Sequence, residues 1–173
     1  MVLDPPAEEN DTMPRDQEGF SLVELLVVVA IILVIAAIAI PSFIRSRIVA
    51  NQASAIESLR VLGTAEATYS AIYGNGYSLT LSMLGPPPSG TDTSAAAAGL
   101  VDDLLGSGLK SGYSFTYSPT LLDPSSRYNG YTIMANPVQL GISGANFYYT
   151  DETHIIRVNQ TSPAGSTDSY VAD

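Results

Sequence analysis

The feature that most constrains this chain is an uncharged apolar run over residues 25–44. As a helix, with a rise of about 1.5 Å per residue, this run would be about 30 Å long, which is enough to cross the hydrocarbon core of a bilayer. A secretory signal peptide has a shorter apolar core, of about 7–15 residues, with a small-residue cleavage site after it. Here the run continues past Pro41 through Phe43 to Ile44, and Arg45 follows without such a site. The sequence therefore predicts a retained membrane span.

Glu24 places a carboxylate at the N-terminal end of this span. An ionised carboxylate in hydrocarbon costs about 2.5–3.5 kcal/mol on insertion scales, and less near the interface. In one interpretation Glu24 lies among the lipid headgroups without a role. In the other it pairs with a cation, as charges inside membranes usually do. If the chain were cut after Gly19, the amine of Phe20 would lie four residues from Glu24, and pairing between neighbouring subunits would offset both desolvation costs.

Glu24 stands at the fifth position after a Gly19-Phe20 junction and is followed by the apolar run, with Pro41 near its end. This combination resembles the N-terminus of type IV prepilins and of the related pseudopilins of type II secretion, over about residues 19–60. The resemblance implies that a prepilin peptidase cuts between Gly19 and Phe20 and then N-methylates Phe20. It also implies that Glu24 neutralises the Phe20 amine of an adjacent subunit and so sets the register of assembly. The filament core would contain apolar side chains of the run: Leu25, Leu26, Val29, Ile32, Ile35 and Ile38.

Pro41 and the leader complete this interpretation. Pro41 has no N–H to donate to the carbonyl of Ala37, so a loosened stretch of helix is expected there, as the family resemblance also implies. Residues 1–19 are the leader, with six acids and Arg15 as the one base, whereas leaders of the family are commonly short and basic. A start at Met13 would give a leader of seven residues and is the alternative to an extended acidic leader.

Residues 45–73 continue the helix with a different pattern. Apolar residues such as Ile56, Leu59 and Leu62 recur at a spacing of three, and polar residues that include Arg60 and Glu66 are interleaved. This is typical of a helix with one buried stripe and one solvent-exposed face. The sequence Gly74-Asn75-Gly76 predicts the end of the helix. The predicted segments are therefore a membrane-spanning or filament-core part over 20–44 and an amphipathic part over 45–73.

Residues 74–160 are predicted to form a globular domain, followed by a flexible tail over 161–173. A short helix over residues 95–105, capped by Thr93 and Ser94, is expected first. The pattern then changes to a period of two, which indicates strands. Its β-rich segments are residues 113–117, 131–135, 147–149 and 155–158.

These segments predict an antiparallel meander of about four strands that packs on the second half of the long helix. Phe115, Tyr131 and Phe147 are the expected core aromatics, since aromatics on strands usually fill a core. The fold class is therefore α+β. The family resemblance adds the ladle shape of pilins.

Residues for catalysis or metal binding are sparse. The chain has no cysteine and a single histidine, and its acids are scattered, so neither an enzyme nor a cofactor is predicted. Asp151 and Glu152 are the candidates for calcium, but calcium takes six to eight oxygens, so the default is a solvated turn that also contains His154. A net charge of −10 disfavours nucleic acid as a specific partner.

The predicted function is that of a structural subunit of a type IV pilus. The alternative is a major-type pseudopilin of type II secretion, which forms a periplasmic pseudopilus. The expected partners are other copies of the chain, the prepilin peptidase/N-methyltransferase and the pilus or secretion assembly platform. The precursor is expected to cross the inner membrane once, and the assembled filament to lie at the cell surface. Arg45 and Arg47, by the positive-inside rule, would instead keep the C-terminal domain in the cytoplasm; we follow the family pattern.

Overall fold

The computed structural model of the chain describes residues 19–171. The chain divides into two compact units, one that ends at Ile40 and one that begins at Pro41. The helices and strands, in chain order, are α1 Leu22–Tyr73, α2 Leu81–Leu84, α3 Asp103–Gly106, β1 Leu109–Lys110, β2 Tyr113–Leu122, β3 Tyr128–Pro137, β4 Phe147–Asp151 and β5 Arg157–Asn159.

The long helix α1 begins and ends close to the predicted positions. It ends at Tyr73 because Gly74 follows in the left-handed region, with φ at +66°, a conformation that glycine adopts without steric cost. The Gly74 N–H donates to the carbonyl of Ser70 at 3.0 Å. In the unit that begins at Pro41, one stripe of the helix is buried against the sheet and contains Ala55, Leu59, Leu62 and Tyr69.

The C-terminal sheet is an antiparallel meander with the strand order β1-β2-β3-β4-β5. β2 and β3 pair from Tyr113 opposite Pro137 to Leu122 opposite Tyr128. Alternation along β3 turns Tyr131, Ile133 and Ala135 into the core, where all three are fully buried. The α+β prediction is thus confirmed, with five strands in place of about four. β1 was missed because its two residues are too few for any alternation to show.

The predicted helix over residues 95–105 is wrong. Ser94 and Ala97 instead exchange two backbone hydrogen bonds, at 3.0 and 3.1 Å, and the N–H groups of residues 98–101 donate to carbonyls of residues 83–85. This pairing overrides the helix propensity of the alanines. The helix that forms, α3, is capped by Asp102, whose carboxylate accepts from the Leu105 N–H at 2.7 Å.

One further expectation differs from the structure. Phe147 is half-buried, and its neighbours Tyr148 and Tyr149 are the buried aromatics of β4. The described part of the tail forms hydrogen bonds beside β5, and its flexibility stays a prediction. The Val158 N–H donates to Ser169 and the Val171 N–H donates to Ile156, both at 2.8 Å.

Candidate assembly interface

The N-terminal part of α1 presents an apolar surface that the described part of the chain does not cover. From Phe20, which is 81% exposed, to Ile40, the large apolar side chains are exposed around the whole circumference of the helix. α1 is the one described helix that is long and apolar enough to cross a membrane. The exposed set includes every predicted filament-core residue: Leu25, Leu26, Val29, Ile32, Ile35 and Ile38.

Such a surface cannot be stable in water. Burial of one large aliphatic side chain is worth about 1.5–3 kcal/mol, so the six predicted core residues together represent on the order of 10 kcal/mol per subunit. An all-round apolar helix is typical of a membrane span or of the centre of a helical assembly. The surface therefore requires lipid or other protein around it.

The predicted processing residues lie at the start of α1. Gly19 and Phe20 precede the helix, and Glu24 is exposed in its first turn. The Leu25 N–H donates to the carbonyl of Ser21 at 3.2 Å, which closes that turn. A carboxylate in the first turn is favoured by the helix dipole, and this is the non-functional explanation for Glu24. The predicted roles of these residues require a second subunit.

Pro41 lies inside α1. It has no N–H, so the carbonyl of Ala37 lacks its helical donor. One turn on, the Ser46 hydroxyl donates to the carbonyl of Ser42 at 3.0 Å, a contact that often accompanies bending in helices. Loosening of the helix at Pro41 stays a prediction.

A buried carboxyl, Glu66, was wrongly assigned to the solvent-exposed face. It is fully buried. Its Oε2 accepts from the Ser78 N–H at 2.9 Å, and its Oε1 lies 2.6 Å from the Ser78 hydroxyl. The sequence carried a signal, because Glu66 is four residues after Leu62 and three before Tyr69, and so lies on the apolar stripe.

Burial raises the pKa of Glu66. The hydrogen bonds from Ser78 oppose this rise in pKa because a carboxylate accepts them well, but burial has the larger effect. The Ser78 hydroxyl has one hydrogen but two acceptors in reach, Glu66 Oε1 and the carbonyl of Thr80 at 3.1 Å. A protonated Glu66 can donate to the hydroxyl of Ser78, which is then free to donate to Thr80. Tyr117 completes the cluster by donating to the carbonyl of Ser78 at 2.7 Å.

The turn that contains Asp151 and Glu152 has internal hydrogen bonds that account for its conformation. The Asp151 carboxylate accepts from both the backbone N–H and the hydroxyl of Thr153. His154 is exposed at a φ of +61° and donates its N–H to the carbonyl of Asp151 at 2.9 Å. Over residues 19–171 no three His, Cys, Asp or Glu side chains converge as metal ligands.

Two comparisons with known proteins find a match, one with a family and one with a curated protein. Residues 14–40 match the model of the prokaryotic N-terminal methylation motif. A curated relative, the type IV major pilin protein PilA of Myxococcus xanthus (strain DK1622), is 46% identical over 56 residues. That match covers 32% of this chain and 25% of the relative, so the chain spans about a quarter of that protein's length. No solved structure matches the chain.

Proposed function

We propose that the chain is a structural subunit of a type IV pilus, stored as a single-pass precursor in the inner membrane. Its match to the N-terminal methylation motif and its similarity to a type IV major pilin support this proposal. The observation that supports this most is the exposed apolar surface of α1 inside the methylation motif. Lipid covers this surface before assembly, and copies of the same helix cover it afterwards. No catalytic role and no cofactor are part of the proposal.

Maturation in this proposal removes residues 1–19 and methylates the amine of Phe20. Gly19 and Phe20 are exposed and lie outside α1. Exposed backbone without helical hydrogen bonds is where proteolysis concentrates. Cleavage after Gly19 is therefore compatible with the position of α1, because the cut leaves every turn of the helix intact.

Assembly register is set in this proposal by Glu24 and the Phe20 amine of a neighbouring subunit. An unpaired charge moved out of water is costly, and a well-placed opposite charge recovers much of that cost. Such a pair is satisfied at one axial offset between two helices, whereas apolar contacts tolerate several. The apolar run would supply the cohesion, and the charge pair would select the offset.

A Glu24→Gln variant tests the register. We expect cleavage and methylation to continue and filament yield to fall at least about tenfold, since the loss of one partner of a buried pair costs about 3–5 kcal/mol. Mass spectrometry of the membrane pool reports processing, and the mass of filaments sheared from cells reports assembly. Glu57→Gln is the matched control, because Glu57 is exposed on the same helix beyond the apolar run, and it should assemble normally. Normal filament yield from Glu24→Gln would disprove the register role.

The pseudopilus alternative differs in location. A pseudopilin with the same N-terminus would assemble in the periplasm, and no surface filaments would contain the chain. The relative named as a major pilin favours the pilus. Peptides of this chain in sheared surface filaments, with methylated Phe20 at the N-terminus, would establish the pilus. Filaments whose subunits retain residues 1–19 would contradict the proposed maturation.

A further inference from the structure

The turn that follows α1 contains an asparagine directly before a glycine, Asn75-Gly76. Asn75 is exposed, and its side chain forms no hydrogen bond with any residue that the structure describes. The adjacent Gly74 and Gly76 have no side chains that could cover it, and both adopt a positive φ, +66° and +80°. The amide carbon of Asn75 is therefore open to attack.

The backbone nitrogen of Gly76 is the group placed to attack it. Within residues 19–171 this N–H has no acceptor, whereas the next N–H, that of Tyr77, donates to the carbonyl of Tyr128 at 2.8 Å. A backbone N–H without an acceptor is available as a nucleophile once water takes its proton. The Gly76 nitrogen directly follows Asn75, so it reaches the amide carbon by closing a five-membered ring, without a second molecule to position.

The chain contains a second asparagine–glycine pair, Asn129-Gly130, in a different setting. It lies in β3, where Gly130 is buried and paired with Thr120 of β2. A Cβ at Gly130 would lie 2.6 Å from the Thr120 hydroxyl oxygen, so a ring has no room to form there. The Asn129 amide also donates to Asp123 Oδ2 at 3.4 Å. The pair in the turn thus has a freedom that the same pair in the sheet lacks.

We propose that Asn75 is a modification site, at which the folded protein deamidates spontaneously; asparagine is among the thermolabile residues of proteins. The Gly76 nitrogen forms a bond to Cγ of Asn75, and the side-chain nitrogen leaves as ammonia with the proton of the Gly76 N–H. One water molecule then opens the cyclic imide at either carbonyl and leaves aspartate or isoaspartate. No electrons are transferred. Each event adds a negative charge to a chain whose net charge is already −10.

Peptide mapping by mass spectrometry measures deamidation at both pairs in the same sample. Full-length protein in detergent is aged at mildly alkaline pH, and digested aliquots report conversion at Asn75 and at Asn129, since replacement of NH by O raises the peptide mass. We expect Asn75 to convert at least about tenfold faster, because the ladder around Gly130 must open before Asn129 can react. Labelling by an isoaspartyl methyltransferase detects the isoaspartate product independently.

The same protein aged in denaturant controls for the flanking sequence. Unfolding frees both pairs, so the rates at Asn75 and Asn129 should converge. If Asn75 converts no faster than Asn129 in the folded protein, the proposal is overturned. A preference for Asn75 that is as large in denaturant also overturns it, because the preference would then come from neighbouring residues and not from the turn.

Two variants at position 75 identify the residue that changes charge, and an exposed position tolerates both. Asn75→Asp has the charge of the product from the start and marks its position in isoelectric focusing. Asn75→Gln keeps the amide but needs a larger ring, so it should react far more slowly. Aged native protein should gain a band at the position of Asn75→Asp, and aged Asn75→Gln should not. The same band in aged Asn75→Gln would assign the charge change to another residue and disprove the site.

Discussion

Residues 22–40 and residues 41–73 belong to one helix, α1, but only the second group has a face that the described chain itself covers. In the second group Leu59 and Leu62 are buried against the sheet, and Val61 between them is exposed. In the first group Val29, Ile32 and Ile35 are all exposed. Secondary structure alone therefore does not decide whether an apolar helical residue stabilises the fold. The partner that covers the residue decides it, and for the first group the described residues do not supply that partner.

The largest expected effect is a difference in unfolding free energy when one apolar side chain is truncated in each of the two groups. Leu62→Ala should destabilise the unit that begins at Pro41 by about 2–5 kcal/mol, because it leaves a cavity in the core. Val29→Ala should leave the unfolding of that unit unchanged. The measurement is thermal or denaturant unfolding of the full-length protein in detergent, followed by the circular dichroism of its sheet. Equal destabilisation by both variants would show that the two groups are not distinct in this way.

In the second group, residues 41–73, Glu66 should make the free energy of unfolding depend on pH. Its folded pKa is raised above the ordinary value of 4.5, so the folded state binds its proton more tightly than the unfolded state does. Stability from this site is therefore fully present below about pH 4.5 and decreases as the pH rises towards the folded pKa. Glu66→Gln should abolish that decrease, since its amide can accept from the Ser78 N–H and donate to the Ser78 hydroxyl. Denaturant midpoints across a pH series measure the slope.

Controls on the same helix isolate the Glu66 effect. Glu57→Gln removes an exposed carboxylate and should leave the slope as it is in the native protein. Glu66→Ala leaves the Ser78 N–H buried without its acceptor and should cost about 1–3 kcal/mol at all pH values. A slope that persists in Glu66→Gln would assign the pH dependence to a group other than Glu66.

The smallest expected effect is on exposed valines. Val61→Ser and Val34→Ser should each change the unfolding free energy by less than about 0.5 kcal/mol, as exposed substitutions usually do. They should differ in assembly, because Val34 lies in the apolar run and Val61 does not. Filament mass from cells that express each variant is the measurement. A reduction with Val61→Ser as large as that with Val34→Ser would extend the assembly surface beyond the apolar run.

Local chemistry explains which parts of the fold could be predicted from the sequence. The end of α1 was predictable because Gly74 can adopt a positive φ, and the strands of the meander were predictable from alternating side chains. The helix over residues 95–105 failed because backbone pairing with residues 83–85 outweighs alanine propensity. The burial of Glu66 was not predicted because a charged residue is ordinarily assigned to the solvent-exposed face. The hydrogen bonds that make its burial possible come from Ser78, twelve residues further along the chain.

The candidate site was predictable to a different degree. The motif that contains Gly19, Phe20 and Glu24 is local, so its position could be identified from a few residues. The apolar run could likewise be delimited by the charges at Glu24 and Arg45. The roles proposed for these residues depend on contacts between copies, and such contacts do not follow from one chain's pattern.

The two edges of the sheet differ in how far the chain itself covers them. The chain near Ser169 and Val171 occupies the backbone groups beside β5, whereas β1 pairs with only Tyr113 and Ser114 of the ten-residue strand β2. Long unpaired edges are the usual template by which neighbouring sheets fuse into amyloid-like aggregates. Crowded copies of this domain therefore could not join strand to strand along β5, and the outer edge of β2 is the one where such a fusion would have to start.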